Sequence, residues 1–130
     1  MACSNKDKEV VYNQPASFWS EGIFKNIRLG NLETADSYFS SLQSEHLNSP
    51  LIPEAMLALG QAHLSNEEYI LSDFYFKEYL KRYGNANNAD YISFLRLKSH
   101  LYAFKNASKD QQFMTDSIIL IQEFMEKYPN

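Results

Sequence analysis

Apolar residues along this chain recur at steps of three and four, and clusters of Gly, Asn, Ser and Pro interrupt them at intervals, which is the period of helices with one buried face. Phe18, Trp19, Ile23, Ile27 and Leu29 mark a first helix over about 16–29, closed by Gly30-Asn31, two residues that tolerate the left-handed backbone ending a helix. Leu32, Ala35, Tyr38, Phe39 and Leu42 mark a second, to about Ser44, before Asn48-Ser49-Pro50 breaks the chain. Pro53 suits the first turn of a third helix, where a missing amide hydrogen is no loss. That helix reaches Leu64, turns at Ser65-Asn66-Glu67 and returns as a fourth over Tyr69–Leu80. A polar connection, with Asp90 as N-cap, leads to a fifth helix ending near Phe104; a loop over Lys105–Gln111 precedes a sixth from Gln112 to Lys127.

The helices repeat as pairs. Met56-x-x-Leu59-Gly60-x-x-His63 on the third helix and Ser72-x-x-x-Phe76 on the fourth fall, 37 residues earlier, on Trp19-x-x-Gly22-Ile23-x-x-Asn26 and Ala35-x-x-x-Phe39. A step of 37 forward reaches the fifth helix at Asp90, whose partner arrives eight residues late as Ser117-x-x-x-Ile121. The small residues Ala35, Ser72 and Ser117 belong where the two helices of a hairpin cross, and Phe39, Phe76 and Ile121 fill the space between a hairpin and its neighbour. This arrangement resembles the tetratricopeptide repeat, a hairpin that buries its apolar face only by stacking on another copy. The expected fold is all-α: three antiparallel helix hairpins (about 16–48, 53–84 and 90–129) forming a short right-handed superhelix over 15–130, behind a polar tether at 1–14.

Composition narrows the function. With 45% hydrophobic and 15% aromatic residues the chain has material for a core. A net charge of -4 and a pI of 5.3 argue against nucleic acid as a partner. No run of apolar residues is long enough to span a membrane. The single cysteine, Cys3, excludes an internal disulfide; it reads either as an incidental thiol or, within Ala2-Cys3-Ser4, as the lipidated cysteine of a bacterial lipoprotein.

No phosphate loop, nucleophile elbow, zinc-protease motif or close acid pair stands out, so neither enzymatic activity nor a cofactor is expected. His63 and His100, 37 apart, are equivalent core positions before they are metal ligands. Binding has more support. The first helices of stacked hairpins line a concave face, on which the register places Ser17, Ser20, Phe24, Ile27 and Arg28; Glu54, Leu57, Gln61, Leu64 and Ser65; Tyr91, Phe94, Lys98, Leu101 and Tyr102. Ile27, Leu64 and Leu101 are expected to pack between helices. Phe24, Arg28, Leu57, Gln61, Tyr91, Phe94, Lys98 and Tyr102 are then the candidate peptide-binding residues, apolar and aromatic with two cations, which suits a peptide carrying aromatic side chains and a carboxylate.

With the repeats placed, the chain resembles the BamD family, lipoproteins of the machinery that inserts β-barrel proteins into the bacterial outer membrane. Gly30-Asn31 with Ala35, the 37-residue spacing and Asn88-Ala89-Asp90-Tyr91-Ile92-Ser93-Phe94-Leu95-Arg96 carry the resemblance, the last being similar to the family's Asn-x-Asp-Tyr-x-x-Tyr-Met-Arg. The long loop of the third hairpin and the Tyr128-Pro129-Asn130 ending agree with it. The resemblance implies a chain lipidated at Cys3, anchored in the outer membrane and facing the periplasm, and forming the N-terminal part of a longer protein. It implies recognition of unfolded outer-membrane protein precursors through an aromatic C-terminal signal, and docking to BamA and other assembly subunits. The alternative on repeat pattern alone is another periplasmic or cytoplasmic tetratricopeptide scaffold.

Overall fold

A computed structural model of the chain describes residues 11–105 and 111–129; Cys3 and the inserted loop of the third hairpin lie outside the described residues. Six helices follow in order: α1 Ala16–Arg28, α2 Leu32–Glu45, α3 Leu51–Ser65, α4 Tyr69–Tyr83, α5 Ala89–Lys105 and α6 Gln111–Lys127. The fold is all-α and of the tetratricopeptide-like kind that the spacing predicts. It divides into two compact units, Met1–Ile52 and Pro53–Asn130.

In the first unit α1 and α2 form a hairpin around Gly30, whose φ of 77° is a left-handed value that only glycine adopts freely. The Asn31 amide donates back to the Asn26 carbonyl at 2.8 Å and so closes α1. Ala35 is fully buried where the helices meet, as its small size requires. Gly22 admits the ring of Tyr38: a Cβ there would stand 2.2 Å from that ring. Tyr38 also completes an aromatic cluster with Phe18 and Trp19, the ring centres of Trp19 and Tyr38 lying 5.3 Å apart and perpendicular.

Residues 12–14, on the boundary of the expected tether, are tied to this hairpin. The Asn13 and Gln14 amides donate to the two Glu45 carboxylate oxygens at 3.0 and 3.1 Å, and the Trp19 indole N–H donates to the same group at 2.8 Å. His46 Nε2 donates to the Gln14 carbonyl at 2.7 Å. The hydrogen bond from Trp19 is the main cause that holds the Glu45 carboxyl below its ordinary pKa; partial burial opposes it, and the two backbone amides and nearby His46 add to it.

α3, most of which belongs to the second unit, starts at Leu51, two residues before the expected Pro53, because Ser49 Oγ accepts the Leu51 amide at 3.1 Å. Pro53 still falls in the first turn. Gly60 plays against Phe76 the part that Gly22 plays against Tyr38, its Cβ position lying 2.5 Å from the ring. Ser72 and Ser99 face each other across α4 and α5 with their hydroxyls 2.9 Å apart, so two small side chains let these helices approach closely. Ser117 and Ser72 are both fully buried, and Ser117 meets His100 within its own hairpin as expected. Ser72 instead faces α5 of the next hairpin, while Phe76, expected between hairpins, lies against Gly60 inside its own because the glycine leaves room for the ring. α5 begins at Ala89, so Asp90 is not the N-cap; it lies in the first turn, where its Oδ1 accepts the Tyr91 amide at 2.7 Å.

Candidate functional site

Most helices of a small domain need one apolar stripe; α5 has two. Ile92, Leu95, Ser99 and Ala103, at helical spacing, form its buried side. On the opposite side Tyr91, Phe94 and Leu101 are about half exposed, at 53%, 47% and 49%, and Tyr102 is exposed as well. Lys98 lies within this outer stripe with its Nζ 5.5 Å from the centre of the Tyr102 ring, close enough for a cation–π contact. Tyr102 is steadied on its other side by Tyr69 of α4, ring centre to ring centre 6.0 Å. From Tyr91 to Tyr102 the stripe runs roughly 16 Å at the helical rise. An extended peptide covers that distance with about five residues.

Four of the eight candidate residues, Tyr91, Phe94, Lys98 and Tyr102, thus share one face of one helix. Leu57, half-buried, and Gln61, exposed, stand one turn apart on α3 of the same unit. Phe24, half-buried, and Arg28, exposed, stand one turn apart on α1 of the first unit. Ser20 departs from the concave-face assignment, being buried in the hairpin. Ile27 and Leu64 are half-buried as interhelical packing residues should be, whereas Leu101 stands out in the exposed stripe of α5.

Behind that stripe lies a polar network with no counterpart in the sequence reading. Asp73 of α4, only 8% exposed, accepts from Arg96 Nε at 2.7 Å. His100 Nε2 lies 2.8 Å from the same oxygen. His100 Nδ1 meets the Ser117 hydroxyl of α6, and its ring stacks on Phe113 with centres 4.3 Å apart. Burial alone would raise the Asp73 carboxyl, but His100 and the charge of Arg96 outweigh it and hold Asp73 below the ordinary aspartate value. The Asp73 carboxylate therefore joins α4 to α5, and His100 extends the network to Ser117 of α6. Beside it opens a cleft of about 270 Å³ whose rim carries Lys77, Asp116 and Glu123.

His63 is likewise buried, its Nδ1 facing Glu68 at 3.1 Å and its ring stacked on Tyr75. Both histidines thus occupy equivalent interior positions, and among the described residues no cluster has the makings of a metal site.

The stretch from Asn88 to Arg96 now divides by task. Asn88 Oδ1 accepts the Tyr79 hydroxyl at 2.9 Å and Arg96 holds Asp73, both bracing the helix against α4, while Asp90, exposed, serves the first turn. Tyr91 and Phe94, in the same stretch, face outward. Its polar residues position α5, and its aromatic residues present it.

Residues 12–130 match the family of outer membrane lipoproteins described as YfiO. The chain belongs to that family. Within the YfiO family it is 62% identical over 129 residues to the outer membrane protein assembly factor BamD of Helicobacter pylori, covering 98% of this chain and 59% of that protein. It is 21% identical over 131 residues to the BamD of Caulobacter vibrioides, covering 98% of this chain and 43% of that protein. The chain therefore spans about half the length of the curated relatives it matches.

Proposed function

We propose that this YfiO-family protein is a non-enzymatic scaffold of outer membrane protein assembly, and that the outer face of α5 receives the C-terminal signal of unfolded β-barrel precursors. The observation that carries the reading is the stripe of Tyr91, Phe94, Leu101 and Tyr102, large apolar side chains left open on a helix whose core side is already complete. A precursor strand ending in an aromatic residue would lay its ring among Tyr91 and Phe94. Its terminal carboxylate would approach Lys98, the cation within the stripe.

Magnitudes limit what each contact contributes. Micromolar affinity is about 8 kcal/mol. A charge-assisted contact supplies roughly 1.5–3 kcal/mol, and burial of one aromatic side chain about 1.5–3 kcal/mol. The carboxylate alone is too weak, so several rings must be covered at once. The same reading places a lipid anchor at Cys3 in the outer membrane, facing the periplasm, with BamA and further assembly subunits as partners. The names of the similar proteins support this assignment.

The test is a titration of the chain with a synthetic peptide ending in Phe with a free carboxylate, beside an amidated form and a form with Phe→Ala. Saturable binding that both changes weaken, and that Lys98→Glu weakens for the free acid only, is the expected result. Equal binding of all three peptides would exclude end recognition at this face.

A further inference from the structure

α4 carries a second open surface, on another helix from the one assigned above. Its inward side buries Ser72, Asp73, Tyr75, Phe76 and Tyr79. Ile70, Leu71 and Phe74 project from the opposite side at 54%, 41% and 52% exposure, all within little more than one helical turn. The Phe74 ring meets that of Tyr75 edge to face at 5.5 Å and projects beyond it as an apolar knob. Three such side chains on one turn exceed the scattered apolar residues of an ordinary surface.

Charge continues the stripe. Lys77 and Lys81 follow Ile70 and Phe74 at helical spacing, are exposed, and form no ion pair among the described residues. Glu78 is half-buried on the flank beside Leu71, and Lys77 also borders the cleft lined by Asp116 and Glu123, so Lys81 and the outward side of Lys77 form the cationic end of this face. Apolar groups thus occupy the N-terminal half of the helix and cations the C-terminal half. A helix lying in a membrane surface places its cations along the borders of the apolar face instead. The net charge of -4 also disfavours an anionic bilayer. An apolar turn followed by cations on one line complements a segment that runs alongside α4, apolar first and acidic one to two turns later.

We propose that the outer face of α4, built from Ile70, Leu71, Phe74, Lys77 and Lys81, is a protein-docking surface that takes an apolar–acidic helical segment of a partner chain. It is independent of the peptide face on α5. The two are separately testable, because the variants of one leave the other intact.

The experiment is fluorescence anisotropy of the chain with a labelled helical probe whose one face reads Leu and Phe followed by Glu at the next two turns, and with a twin carrying Lys for Glu. The acidic probe is expected to bind saturably. Phe74→Ser, and Lys77→Glu combined with Lys81→Glu, each weaken it by about tenfold, as loss of an interface anchor does. The charge-reversed variant gains binding of the Lys twin, a swap that only direct contact produces, and Phe94→Ala changes neither. The proposal is overturned if the acidic probe fails to bind, or binds no better than its twin. It is also overturned if wild-type protein associates with phosphatidylethanolamine–phosphatidylglycerol vesicles through Lys77 and Lys81, which makes the face a lipid contact. Concentration-dependent self-association abolished by Phe74→Ser overturns it in favour of a second copy.

Discussion

α1 and α5 hold the same place in their hairpins and spend their apolar residues differently. α1 buries Trp19 and Ile23, half-buries Phe24 and Ile27, and turns Ser17, Glu21, Lys25 and Arg28 to solvent, with Phe18, at 37%, its one exposed large apolar side chain. α5 buries Ile92, Leu95 and Ala103 and then exposes Tyr91, Phe94, Leu101 and Tyr102 as well. One stripe is what a helix needs to pack. The second stripe of α5 adds nothing to the core that encloses its first, and the recognition role proposed above is where such a surplus finds its use. What anchors the two helices differs too: α1 is steadied by Glu45 at the edge of its hairpin, α5 by a buried carboxylate, Asp73.

The largest expected effect breaks that anchor. Asp73→Ala leaves Arg96 and His100 without their shared partner, and should cost about 3–5 kcal/mol, the usual result of orphaning a buried charge. Thermal unfolding followed by circular dichroism would register it as a fall of many degrees. Because the Asp73 carboxyl is depressed in the folded protein, its stabilising contribution is present above the ordinary aspartate range and is lost as pH falls through the lowered value. Asp73→Ala should therefore flatten the acid limb of a stability profile.

Close approach comes next. Gly60→Val would drive two methyl groups into the Phe76 ring, and overpacking of that kind costs about 1–3 kcal/mol. Denaturant midpoints of this variant and wild type measure the difference. At Glu45 the effect is local. Glu45→Ala removes the acceptor of the Trp19 indole and of two backbone amides, so the emission of Trp19, the one tryptophan of the chain, should shift and the Asn13 and Gln14 amides should exchange faster. The folded-state carboxyl of Glu45 is lowered, so wild-type emission should hold at neutral pH and change only below the ordinary glutamate range. The variant should show no such transition.

Much of the architecture was legible because it is periodic. Ala35, Ser72 and Ser117 are fully buried as small residues at helix contacts should be, though Ser72 meets the next hairpin and not its own, and the helix pairs follow from steps of three and four. Asp73 was not legible: beside Ser72 it reads as one more polar residue, and its partners Arg96 and His100 are 23 and 27 positions away on another helix, with no local pattern linking them. The early start of α3 depends on a single hydroxyl, Ser49, which looked like part of a chain break. For the candidate site, spacing brought Tyr91, Phe94, Lys98 and Tyr102 to one face, but it misjudged Leu101. Both faces of α5 are apolar, and periodicity alone cannot say which of two apolar stripes is buried.

That ambiguity also points to the decisive measurement. Phe94 and Leu95 are sequence neighbours about 100° apart around α5, one turned outward and one inward, at 47% and 5% exposure. Phe94→Ala and Leu95→Ala should be compared by thermal unfolding and by titration with the peptide ending in Phe. If the outer stripe serves recognition, Phe94→Ala keeps stability within about 0.5 kcal/mol of wild type and loses most of the binding. Leu95→Ala should cost about 2–5 kcal/mol while its remaining folded fraction binds normally. Unchanged peptide affinity in Phe94→Ala, or a stability loss as large as that of Leu95→Ala, would contradict the account.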